Sequence, residues 1–289
     1  MLSQSQHNLV SRLISHLMLT LCIALTATIV ALLLVITVYI AVKGVGGLTP
    51  AFFEHTPDQN PPGILNGIYG TAVLLLLAGI VGIPIGMLTG IYLSEYDQRS
   101  LIASPLRFVC DLLTGVPSIV VGVLGYELLV MPHSLGPFHT PGHNNGWAGA
   151  LALAFIMVPI IARTTEEMLR LVPASYREAS IALGATKAGT ILKVVLPSAA
   201  GSVATGVTLA IARVAGETAP LIFTAGLVSR LETNPSNPFP SITAQIYLDF
   251  RNSPDPKRQA LAWAGILVLI ALIFALNLGI RFATRSGKT

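Results

Sequence analysis

Two charges four residues apart interrupt an otherwise apolar stretch. They are Arg213 and Glu217, in Ala210-Ile211-Ala212-Arg213-Val214-Ala215-Gly216-Glu217-Thr218-Ala219-Pro220-Leu221. A charge at bilayer depth costs at least about 2.5–3.5 kcal/mol, so such residues face the interior of a bundle or a wet path. The planar guanidinium of Arg213 offers two parallel donors that suit a tetrahedral oxyanion. At about 100° per residue, Gly206, Ala210, Arg213, Glu217, Pro220 and Thr224 fall on one stripe of a continuous helix. Small residues share that stripe with the charges, so it turns toward protein. Residues one turn apart can pair. Two readings follow: an anion-pathway arginine trimmed by a carboxylate, or a buried ion pair that fixes helix packing.

A second stretch has a different chemistry. Residues 173–197 contain Arg177-Glu178-Ala179-Ser180-Ile181-Ala182-Leu183-Gly184-Ala185-Thr186-Lys187 and run on to Val194-Val195-Leu196-Pro197. The pattern predicts two short helices hinged at Gly184, and Pro197 suits the first turn of the next helix. Glu178 sits near a helix start, where the dipole favours an acid. Ala179 and Ser180 are small enough for another surface to approach the backbone. Such a helix either docks into a groove of a partner or lies on the lipid surface.

Other candidates are weaker. Glu127 and Asp111 lie near the ends of an apolar run and read as wet interfacial acids. His133, His139 and His143 share one loop, but the spacing matches no compact zinc pattern and no Cys joins them. No metal or other cofactor is expected. The tail Ser286-Gly287-Lys288-Thr289 imitates the end of a P-loop, yet Phe282 stands where the motif needs its first glycine. The chain itself is therefore not expected to hydrolyse ATP.

The elements that must position these residues are membrane helices. Of the 289 residues, 53% are apolar and 10% charged, too few charges to cover a water-facing surface; the mean hydropathy of +0.73 agrees. A nucleic-acid binder, a disordered chain and a disulfide scaffold are excluded. Six runs reach the roughly 20 residues a spanning helix needs: 17–42, 64–93, 102–130, 147–172, 198–226 and 259–283. The fold class expected is an all-α polytopic bundle. Pro84, Pro117, Pro159 and Pro220 predict kinks, with a break or re-entrant bend at Thr114-Gly115-Val116-Pro117-Ser118. Gly82, Gly86 and Gly90, and again Ser202, Gly206 and Ala210, repeat at four-residue spacing for close helix packing. With the N-terminus inside, eleven Lys and Arg fall on inner segments and five on outer ones, so both ends are expected in the cytoplasm. Scattered polar groups give no constellation for a membrane enzyme. No internal repeat points to a secondary transporter.

The residues 178–197 resemble a known pattern. Glu178-Ala179-Ser180, three residues, Gly184, nine residues, Val194-x-Leu196-Pro197 looks like the EAA loop of ABC-importer permeases, with Ser180 for Ala and Val194 for Ile. Ala162–Pro173, Ala210–Leu221 and Trp263-Ala264-Gly265 narrow the resemblance to phosphate ABC-transporter permeases of the PstA type, over roughly 64–283. The resemblance implies an importer-permease bundle with a cytoplasmic coupling helix, in a bacterial inner membrane. It implies Glu178, Ala179, Ser180 and Gly184 as the contact with an ATP-hydrolysing subunit, and Arg213 and Glu217 on the substrate path. The partners implied are an ATPase dimer, a paralogous permease and an extracytoplasmic phosphate-binding protein. A permease for another anion or small solute is the alternative. The division expected is an anchor and outer loop at 1–63, a transport domain at 64–283 and a tail at 284–289.

Overall fold

The computed structural model describes residues 4–96, 102–132, 134–135, 138–139, 142–251 and 256–286. Arg99, His133 and the tail from Gly287 to Thr289 lie outside the described residues, as does the side chain of His139. The first helix, α1 (Gln4–Val45), is apolar around its whole circumference, and none of its membrane window is buried by protein. Near its end it packs against α12 (Pro256–Ser286). There Tyr39 stacks edge-on against Trp263 at 5.3 Å, and a Cβ on Gly44 would lie 2.8 Å from the Trp263 carbonyl. An apolar helix so exposed has lipid as its solvent.

After the short α2 (Pro50–Glu54), α3 (Leu65–Ile91) continues into a π-helical turn at Tyr92–Tyr96. Its glycine stripe packs on α6 (Gly146–Arg170), the most buried spanning helix. A Cβ at Gly86 would stand 2.7 Å from that of Ile161, and one at Gly90 would stand 2.6 Å from that of Thr165. The glycines at this spacing therefore set the distance between the two backbones. Asn145 caps α6 by accepting from the Ala148 N–H at 2.8 Å. Leu74, Ala78, Leu153, Met157 and Ile161 form the centre of the core, joined by Ala210 and Val214 from α9 (Leu196–Ala215).

The third predicted span breaks where the sequence places the break. Helices α4 (Ala103–Gly115) and α5 (Ser118–Leu129) meet at 106°. Val116 is extended, at φ −68° and ψ 128°, because the ring of Pro117 disfavours the helical region for the residue before it. Among the described residues, five helices are long and apolar enough to cross a membrane, and the bent pair makes a sixth crossing if it counts as one span. Two-residue strands Ser134–Leu135 and Phe138–His139 pair in the loop before α6.

The fifth predicted span departs from expectation. Helix α9 ends at Ala215, and a separate α10 (Ala219–Thr224) follows. An unbroken helix would set the Pro220 ring against the Gly216 carbonyl and leave that carbonyl without its N–H partner. The chain instead stops at Gly216 and restarts with Pro220 in the first turn of α10. The stripe drawn through 206, 210, 213, 217, 220 and 224 is therefore not one helix face. Ser202, expected on the small-residue face, is exposed, whereas Gly206 and Ala210 are buried.

Between α6 and α9 lie α7 (Ala174–Ala182), α8 (Lys187–Thr190) and a second π-helical turn at Ile191–Val195. The chain closes with α11 (Ile242–Arg251), outside the spanning set, and α12 (Pro256–Ser286), which packs on α1, α9 and α11.

Candidate functional site

The bend between α4 and α5 opens a cavity of about 460 Å³ against α6 and α9. Thr114 and Ser118 line it from the bend, Arg163, Thr164 and Glu167 from α6, and Arg213 from the last turn of α9. Ser118 opens the first turn of α5, where the N–H groups of Ser118 and Ile119 precede the first helical bond, made by Val120 to the Pro117 carbonyl. Arg213 is exposed, and no hydrogen bond or ion pair engages its side chain among the described residues. Its position in the last turn of α9 suits a cation, because the partial negative charge of the helix dipole sits there.

The predicted partnership of Arg213 with Glu217 is not made. The two share no ion pair within 4 Å. Glu217 lies in the link between α9 and α10, and its carbonyl accepts from Thr243 Oγ1 at 2.9 Å. The break at Gly216 removes the one-turn stacking that a continuous helix would have provided. Arg213 lines the cavity and Glu217 does not.

The carboxylate that does organise this region is Glu166, whose side chain is 1% exposed. Arg107 Nε reaches it from α4 at 2.7 Å, Arg170 from one turn on at 2.6 Å, and Arg163 at 3.3 Å. Arg163 Nε also reaches Asp111 at 2.9 Å. Asp111, expected to be a bland interfacial acid, therefore holds α4 to α6. The spacing of Arg163, Glu166 and Arg170 on one helix was visible in the sequence. The approach of Arg107, 59 residues away, was not. Glu127 is exposed on α5. His143 contacts the Ser236 carbonyl at 3.2 Å, and no metal-holding group of three His, Cys, Asp or Glu occurs among the described residues.

The second candidate surface is built by α7 and α8. Helix α7 closes with a Schellman turn: Gly184 donates to the Ile181 carbonyl at 2.9 Å and Ala185 to the Ser180 carbonyl at 3.1 Å. Gly184 has φ +85° and open space where a Cβ would stand. The backbone turn, not crowding within the chain, is what demands glycine here. No residue of α7 is buried, Glu178 and Ala179 are exposed, and Leu183 is 90% exposed. A groove of about 580 Å³ runs between α7 and α8, lined by Ala179, Ser180, Gly189 and Lys193. Ser180 faces inward, its hydroxyl 2.9 Å from that of Thr190. Arg177 grips Glu95 with two hydrogen bonds, at 2.9 and 2.5 Å. That carboxylate raises the guanidinium pKa above its already high ordinary value, so Arg177 stays charged.

Residues 82–286 match the sequence family described as binding-protein-dependent transport system inner membrane component. The phosphate transport system permease protein PstA of Yersinia pestis is 42% identical over 239 residues, covering 82% of this chain and 78% of that protein. The PstA protein of Xylella fastidiosa strain 9a5c is 41% identical over 241 residues, with 83% and 81% covered. PstA 1 of Mycobacterium tuberculosis strain H37Rv is 35% identical over 255 residues, with 86% and 80% covered. Among solved structures, an inward-facing MetNI methionine ABC transporter superposes with a TM-score of 0.63 at 18% identity, covering 78% of this chain and 96% of that chain. That likeness carries the fold alone.

Proposed function

The chain belongs to the binding-protein-dependent transport system inner membrane component family, and on that premise we propose that it is a permease subunit of an ATP-driven importer of inorganic phosphate. The observation that carries the substrate is Arg213, a guanidinium with no carboxylate partner, lining a cavity beside Thr114, Ser118 and Thr164. The names of the PstA relatives agree with it. An anion there meets the guanidinium of Arg213, with Arg163 beside it, the Ser118 hydroxyl and the open first turn of α5, donors suited to a tetrahedral oxyanion; the Thr114 and Thr164 hydroxyls already donate to the Asp111 and Ile160 carbonyls, and Glu167 is the acid on the wall. Glu217, off the cavity wall, has a supporting place in this reading: it belongs to the link that ends α9 beside Arg213.

An arginine exposed at bilayer depth does not face lipid, because that costs at least about 2.5–3.5 kcal/mol. The open side of the cavity is therefore assigned to a paralogous permease, so that the two chains share one path. A dimeric ATPase docks on α7 through Glu178, Ala179, Ser180 and the Gly184 turn, and an extracytoplasmic phosphate-binding protein delivers the anion. ATP closure moves α7, and the bend at Val116-Pro117 turns the cavity from one side to the other. The path holds phosphate weakly, since an ion bound too tightly would not leave. The transport unit is 64–283, with 1–63 as anchor and 284–289 as tail. The setting is a bacterial inner membrane, with both termini cytoplasmic.

The test is reconstitution of the complex into vesicles. ATP-dependent phosphate accumulation is expected, inhibited by excess arsenate and not by methionine. Accumulation of another solute with no phosphate uptake would overturn the assignment.

A further inference from the structure

Helix α7 buries none of its residues, yet a helix that transmits force needs a firm hold on what it moves. Its hold is Arg177. One guanidinium makes four hydrogen bonds: two to Glu95, one to the Val172 carbonyl at 2.7 Å and one to the Leu169 carbonyl at 2.9 Å. Glu95 lies in the π-helical turn that ends α3, and its side chain is 6% exposed. A π turn holds one residue more than an α turn and is a common place for a helix to yield. Three basic residues from three other elements converge on this one. Arg177 binds Glu95 from α7, Lys187 sits 4.8 Å over the Tyr96 ring from α8, and Arg107 donates to the Leu93 carbonyl from α4 at 3.1 Å. Arg107 in turn holds Glu166, which is shared with Arg163 on the cavity wall.

We propose that Arg177 is a positioning residue whose bond to Glu95 carries movement of α7 into the π turn of α3, and from there through Arg107 and Glu166 to the wall of the anion cavity. The inference rests on the importer reading above. The contacts from α7 to the cavity are charged or charge-assisted, at 2.5–3.3 Å. The ionic bonds of Arg177 to Glu95 and of Arg107 to Glu166 are short, at 2.5 and 2.7 Å, and such bonds are directional, so they pass a displacement on from one element to the next.

A plainer role competes. Arg177 also donates to the Leu169 carbonyl in the last turn of α6 and to the Val172 carbonyl just beyond it, and that alone would hold α7 in place. Glu95→Gln separates the two roles, because it removes the ionic bond and leaves both carbonyl bonds intact. The complex with its ATPase and permease partners is reconstituted, and phosphate uptake and ATP hydrolysis are read on the same vesicles. If the wild-type complex imports no phosphate, the importer reading falls and the variants are not needed to show it. With an active wild type, Glu95→Gln and Arg177→Ala are each expected to assemble and hydrolyse ATP. Uptake per ATP should fall at least about tenfold, inside the usual range for coupling between sites. Arg177→Lys, with one charge and no fork, should fall between. Normal uptake per ATP in Glu95→Gln, or its failure to assemble, overturns the proposal and leaves Arg177 as a cap on α6. Should Arg177→Ala not assemble, Glu95→Gln alone decides.

Discussion

Arg213→Gln separates a substrate role from a packing role, because the structure gives the two different magnitudes. The side chain is exposed and makes no ion pair or hydrogen bond within the described chain. Its loss therefore strands no buried carboxylate, and the change in stability should stay within about 0.5 kcal/mol, as for other surface substitutions. A phosphate held by the guanidinium would lose charge-assisted hydrogen bonds worth about 1.5–3 kcal/mol. At about 1.4 kcal/mol per factor of ten, uptake should fall roughly ten- to 150-fold while subunit assembly and melting temperature hold. Glu217→Gln supplies the control. Because the helix ends at Ala215 and the two charges are not paired, the double variant Arg213→Gln with Glu217→Gln should be as inactive as Arg213→Gln alone. Radiolabelled phosphate uptake, normalised to assembled complex, reads both. Uptake restored in the double variant would refute the reasoning, since only a coupled pair is repaired by removing both members.

Three further outcomes follow from particular residues. Gly184→Ala should cost about 1 kcal/mol for a left-handed backbone without a clash, and Gly184→Val more; both should remain in the membrane while ATP-driven uptake falls, most for valine. Gly86→Val should lower the melting temperature of the purified protein, because even a Cβ would meet Ile161 at 2.7 Å and overpacking costs about 1–3 kcal/mol; an unchanged melting temperature would mean that α3 and α6 are less tightly apposed. Burial raises the pKa of Asp249 on α11 above its ordinary value, against the opposing pull of Gln245 and Arg258. A raised carboxyl destabilises the fold in its ionised form, so that stability is complete below the unfolded pKa of about 3.9 and declines as pH rises through the folded value. Asp249→Asn should thus match wild type in acid and melt progressively higher than wild type toward neutral pH.

What the sequence made legible was local. The spans, the Gly82-Gly86-Gly90 face of α3 and the hinge at Gly184 each depend on residues within one helix or one turn, where spacing and φ preference determine the outcome. Contacts across the chain were not legible. Arg107 with Glu166, and Arg177 with Glu95 at a separation of 82 residues, have no periodicity that a single sequence can display. The prolines show where local signals become ambiguous. Pro84 and Pro159 lie inside continuous helices, while Pro117 and Pro220 mark breaks. All four remove the same N–H. An upstream glycine does not decide the matter, since Gly82 stands two residues before Pro84 as Gly115 stands two before Pro117; at the breaks, partners are at hand for the backbone groups that are freed. Thr243 Oγ1 meets the Glu217 carbonyl, and the Leu113 carbonyl, which Pro117 cannot serve, accepts from the Val116 N–H at 3.4 Å. In a bilayer a helix breaks where freed backbone finds such partners. Thr243 comes from a segment 26 residues further on, which is why a stripe drawn along 206–224 ran through the break and gave Arg213 a partner it does not have. Without that partner the guanidinium keeps its donors unused within the described residues, and it is the break, not the sequence pattern, that leaves them open to the anion proposed for this cavity.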